Sequence, residues 1–166
     1  SQTAPRARPR KSARASPAGT TAALGGDEDV DAALAALDRC VALDPGRGGA
    51  WFELGLARGA AADWAGARSA YAKARALRFD TPRLRWAQDL SLPALPADAA
   101  EVDSALAQFE AGVERLLAES SRRPAGDAAA HWLAAASVVP FHLHYLARDT
   151  TRLQCRFGDL LAATAM

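Results

Sequence analysis

The sequence predicts an all-α protein of antiparallel helix pairs followed by a further helical segment. Three observations predict it. Apolar residues recur at three- and four-residue spacing over most of residues 27–166. The pattern of residues 27–45 returns in 61–79, 34 positions later. No alternating run is long enough for a strand.

The chain has 166 residues, half of them hydrophobic, enough for a continuous core. Its formal net charge of +1 gives no general attraction to nucleic acid or acidic lipid. Residues 1–26 carry Arg6, Arg8, Arg10, Lys11 and Arg14, no acid and three prolines. They read as a disordered, solvated basic tail, because they hold too little apolar surface to offset the entropy of ordering. There is no Asn or Ile, and eighteen arginines stand against two lysines. We read this as the coding bias of a GC-rich, bacterial gene. No apolar run reaches the length of a membrane span, and no apolar h-region follows the basic start. The expected location is the cytoplasm.

The helices follow in order. In residues 27–45, Val30, Ala33, Leu34, Leu37 and Val41 share one face. Asp27, Glu28 and Asp29 suit the N-terminal end of the helix dipole, and Asp44-Pro45-Gly46 stops the helix. A second helix runs from about Gly49 to Gly59. A third starts at the N-cap Asp63 and runs to about Leu77. Pro82 opens a short helix through Trp86. After the proline-broken strip 91–96, Asp98 and Glu101 form a capping box for the longest helix. Its stripe is Val102, Leu106, Phe109, Val113, Leu116 and Leu117. Residues 120–127 are a loop. A helix through His131-Trp132-Leu133 ends near Pro140, and the last carries Leu153, Phe157, Leu160 and Leu161 on one side.

Ala33 aligns with Ala67, Leu37 with Tyr71, Cys40 with Ala74 and Leu43 with Leu77, each 34 residues apart. With Trp51, Leu54 and Gly55, these positions resemble the tetratricopeptide repeat. Small residues (Gly55, Ala67) let two helices approach, and large ones (Trp51, Leu54, Tyr71) fill the space between pairs. The pattern departs at Arg58-Gly59, where an aromatic is expected, and at Phe79, where a proline is expected. We count one full repeat at 50–82, a half before it and a degenerate one near Trp86.

Residues 90–166 resemble the segment between repeats and catalytic lobes in bacterial SPINDLY-type, O-linked N-acetylglucosamine-transferase-like glycosyltransferases. Phe109, Leu116-Leu117, the Pro140-Phe141-x-Leu143-x-Tyr145 block, Asp149, Leu153, Phe157 and Met166 carry the resemblance. It implies three parts: a tail at 1–26, repeats at 27–90 and a helical linker at 91–166. It implies that the repeats orient a protein acceptor, while a downstream catalytic domain of the same polypeptide binds a nucleotide-sugar donor. The chain starts at Ser1 and stops at Met166 before any such lobe, so it reads as a fragment. The Asn lining of longer relatives is missing. An adaptor that stands alone and binds a partner peptide or helix is the alternative.

No residue is nominated as catalytic, cofactor-binding or metal-ligating. His142 and His144 bracket Leu143, but a zinc site needs more ligands, and His131 and Cys155 have no closing spacing. We expect Phe141, Leu143 and Tyr145 to pack and the histidines to face out. Cys40 and Cys155 read as two small buried thiols. Ser120-Ser121 before Arg122-Arg123 reads as a flexible loop, with a phosphosite as the sharper reading. Paired carboxylates at Asp27, Glu28 and Asp29 read as helix-end charges. Trp51, Trp64, Trp86 and Trp132 read as core or inter-helix packing. No Gly-rich turn that would cradle a diphosphate is present.

Overall fold

The computed structural model describes residues 27–93, 95–122, 128–138 and 141–165. The basic tail, residues 123–127 of the expected loop, Pro140 and Met166 lie outside the described residues. Among the described residues there are seven α-helices, one 3-10 turn and no strand. The helices are α1 (Asp27–Leu43), α2 (Gly48–Ala60), α3 (Trp64–Ala76), α4 (Pro82–Leu90), α5 (Ala99–Ser120), α6 (Ala128–Ala136) and α7 (Thr151–Ala165), with the 3-10 turn at Phe141–Tyr145.

Local chemistry sets the helix starts. Asp63 caps α3 by accepting from Gly66 N at 2.8 Å. Thr81 caps α4 through Leu84 N, with Pro82 in the first turn. Asp98 caps α5 through Glu101 N at 2.8 Å. The Glu101 carboxylate reaches back to Ala97 N, one residue before the amide a capping box uses.

The stops of α2 and α3 are of one kind. Asp63 N donates to Arg58 O and Ala62 N to Gly59 O; Phe79 N donates to Ala74 O and Arg78 N to Arg75 O. Both are Schellman motifs. Their left-handed residues are Ala62 (φ 60°) and Arg78 (φ 61°), not glycines.

Glycine contacts give the register of α2 and α3. Gly48 lies beside Ala74, Leu77 and Phe79, Gly55 against the Tyr71 ring, and Gly59 near Ala67. Positions rise on one helix as they fall on the other, so the pair is antiparallel.

Three apolar clusters follow one another along the chain. Val41 of α1 packs with Ala50, Leu54 and Ala70. Phe52, Ala67, Tyr71 and Ala74 pack with Leu84 of α4. The largest gathers Trp86, Leu90, Phe109, Val113, Leu116, Leu143 and Leu160, with Phe157 edge-on to Trp86 and tilted against Phe109. Helix α4 therefore serves two cores, Leu84 in one and Trp86 and Leu90 in the other. It runs to Leu90, a turn past the expected end at Trp86, because Leu90 is buried in the large core. Two arginines brace α7 and its approach to α5: Arg156 on Glu114 and Arg148 on Asp103.

Several expectations need correction. Ala33 is exposed and Leu43 is 87% exposed, although their partners one period on, Ala67 and Leu77, are buried and half-buried. Helix α2 covers α3 there, and no described element precedes α1. Trp132 and Tyr145 are more than half exposed, because α6 meets the core through Ala134 and Ala135, and the 3-10 turn meets it through Leu143. Cys155 is exposed and Cys40 half-buried, so neither is a buried thiol. His144 is exposed, but His142 is half-buried.

Candidate functional site

A concavity with several polar groups lies between α3, α4 and α5. It is an open cleft of about 440 Å3. Arg68 and Ser69 come from α3, Gln88 and Asp89 from α4, Gln108 and Arg115 from α5.

The packing of α4 on α5 places these groups. Gly112 lies against the Asp89 backbone, closer than a β-carbon would allow. That contact turns the Asp89 carboxylate toward Arg115, one helical turn along α5. Asp89 is 7% exposed, and a charge there needs a partner. Arg115 supplies one: its Nη2 donates to Oδ1 at 2.8 Å and its Nε to Oδ2 at 3.4 Å. This hydrogen-bonded pair holds the Arg115 pKa above its ordinary value. Gln108 Nε2 donates to Gln88 O, tying the same two helices.

On the α3 side, the Arg68 guanidinium sits 4.8 Å above the Trp64 ring. Arg75 Nη1 donates to Gln88 Oε1 at 3.5 Å on the rim. The lining is thus rich in N–H donors, and its one carboxylate is already paired.

A second open cleft, about 380 Å3, lies between α5 and α7, with Asp103, Glu110 and Asp149 beside Arg152. The backbone N–H of Thr151 holds the Asp149 carboxyl below its ordinary pKa.

The residues weighed in the sequence do not come together. Among the described residues no group of three or more His, Cys, Asp or Glu is placed to hold a metal ion. Ser120 and Ser121 donate their hydroxyls to Leu116 O and Leu117 O at the end of α5. Trp51 ties the α1–α2 turn through its indole N–H to Pro45 O. Among the described residues no helix is long and apolar enough to cross a membrane. The cleft residues carried no sequence signal as a set, being scattered over three helices. Asp89, an acid inside the apolar run Leu84, Trp86, Leu90, was the one available hint.

Comparison with protein-family models, with curated proteins and with solved structures finds no match to this chain.

Proposed function

We propose that this chain is a protein-interaction and packing module of tetratricopeptide type, which holds a protein acceptor for a nucleotide-sugar-dependent glycosyltransferase domain downstream. One observation carries the reading: the α2–α3 hairpin is keyed by Tyr71 in the Gly55 notch, both at positions that resemble the tetratricopeptide pattern. The module works in the cytoplasm, binds protein, and leaves donor binding and sugar transfer to the other domain.

The test is a nucleotide-sugar hydrolysis and transfer assay on this chain, alone and joined to the polypeptide that follows residue 166. Expected is no turnover alone and transfer to protein Ser or Thr when joined. Turnover by the chain alone overturns the reading.

The open face of α1 favours a second reading, an adaptor that takes a partner helix. Ala33, Ala36 and Leu43 are exposed there, while Ala67 and Ala70, one period on, lie under α2. A reading frame that stops after Met166 selects this reading. One that runs into an α/β region selects the first.

A further inference from the structure

We propose that the cleft between α3, α4 and α5 binds a phosphomonoester, held between Arg68 and Arg115. This needs only the cleft and does not rest on the scaffold reading above.

Both guanidiniums are oriented before any ligand arrives. Arg68 is laid on the Trp64 ring at 4.8 Å, and it makes no ion pair among the described residues. A stacked guanidinium keeps its N–H edges free for oxyanions. Arg115 spends Nε and one Nη2 hydrogen on Asp89, so Nη1 and the other Nη2 hydrogen remain. Asp89, also in the lining, neutralises one charge; it is 7% exposed and its two oxygens are engaged by Arg115. Arg68 gives the lining a net positive charge; around it Arg75 adds a cation, while Glu119, paired with Arg85, acts on Arg115 from outside the lining.

The neutral groups complete the donor set. Gln88 accepts from Arg75 through Oε1, so its amide nitrogen keeps its donors. The Ser69 hydroxyl has no partner among the described residues, and small neighbours on α3, Ala65 and Ala72, leave the space above it open. Donors thus arrive from three helices. A carboxylate, with two coplanar oxygens, is satisfied by one guanidinium. A phosphomonoester has three terminal oxygens and about two negative charges, which suit donors converging from several sides. A cavity of about 440 Å3 accommodates a phosphorylated side chain or a small phosphate ester.

The experiment is calorimetric titration of the full chain with a phosphoserine peptide, with the same peptide carrying Ser or Glu, and with inorganic phosphate as competitor. Expected is saturable binding of the phosphopeptide, weakened by salt and displaced by phosphate. Arg68→Gln is expected to lower affinity about tenfold or more, the scale of a lost charge-assisted hydrogen bond, without moving the melting temperature. Ser69→Ala gives a smaller loss and guards against a folding effect at Arg68. Absence of saturable binding overturns the proposal. So does a Glu peptide that binds as tightly, phosphate that fails to compete, or an Arg68→Gln variant of full affinity.

Discussion

The Tyr71 ring occupies the place where a β-carbon on residue 55 would stand. Tyr71 is 4% exposed, and Phe52 packs against it, tilted, at a centroid distance of 6.1 Å. The ring has nowhere to retreat. Glycine in mid-helix costs about 1 kcal/mol in propensity, which Gly55→Ala would recover. Overpacking a closed contact costs about 1–3 kcal/mol. The clash is with a boxed ring, so the second effect wins. We expect Gly55→Ala to destabilise by about 1–2 kcal/mol, read as a lower urea midpoint. In a Tyr71→Leu background the same substitution should be neutral or stabilising. A gain in the wild-type background would mean that the notch is loose.

The two Schellman stops give a prediction of opposite sign. Ala62 and Arg78 stand in left-handed backbone, which costs a residue with a β-carbon about 1–2 kcal/mol. Glycine removes that strain and adds back some unfolded-chain entropy. Ala62→Gly and Arg78→Gly are each expected to stabilise by about 0.5–1 kcal/mol. They lie at opposite ends of α3, so the double variant should show nearly the sum in thermal melts. Loss of stability in either single variant contradicts the assignment.

Those stops also show where the sequence is legible and where it is silent. Asp63, Pro82 and Asp98 mark helix starts because a side chain or a ring acts on the adjacent backbone, and such signals are local. The expected ends, about Gly59 and Leu77, fall within one residue of Ala60 and Ala76, but no glycine stands at either left-handed position, so the Schellman bonding itself is not marked in the sequence. Periodicity finds the buried stripe of α5, since Val102, Phe109, Val113 and Leu116 all face the core. It says nothing about what covers a face. Trp132 and Leu133 look like core residues on an apolar helix, yet α6 turns Ala134 and Ala135 inward. The cleft is the extreme case, because Arg68, Gln88 and Arg115 meet through tertiary packing and share no spacing.

The Asp89–Arg115 pair is expected to matter more than the exposed ion pairs. Asp89 is buried, whereas the Arg58–Asp38 carboxylate is 54% exposed. Arg115→Ala leaves the Asp89 charge without its partner, at a cost of about 2–3 kcal/mol. Arg58→Ala should cost under about 0.5 kcal/mol. Adding Asp89→Asn to Arg115→Ala removes the stranded charge and should recover part of the loss, measured as a double-mutant cycle in urea. Arg115→Lys keeps the charge but loses the two-point geometry, and should fall between wild type and Arg115→Ala. Equal costs for Arg115→Ala and Arg58→Ala would show that Asp89 finds another partner.

Tyr71 also gives the alkaline limit of stability. Burial pushes its phenol up to about 12, with Arg83 opposing and Glu53 adding to the shift, from an ordinary value of 10.0. The raised value sets the sign. Below pH 10 both folded and unfolded chains keep the proton, and the full stability is present. Between 10 and 12 the unfolded chain releases it and the folded chain does not, so stability falls as pH rises through that window. Two units correspond to a loss of about 3 kcal/mol. Tyr71→Phe should flatten this alkaline slope in urea unfolding. A Tyr145→Phe background leaves Tyr71 as the one phenol in the chain, so its phenolate absorbance reads the titration directly. A phenolate midpoint near 10 would place the ring in water and remove the key from the Gly55 notch.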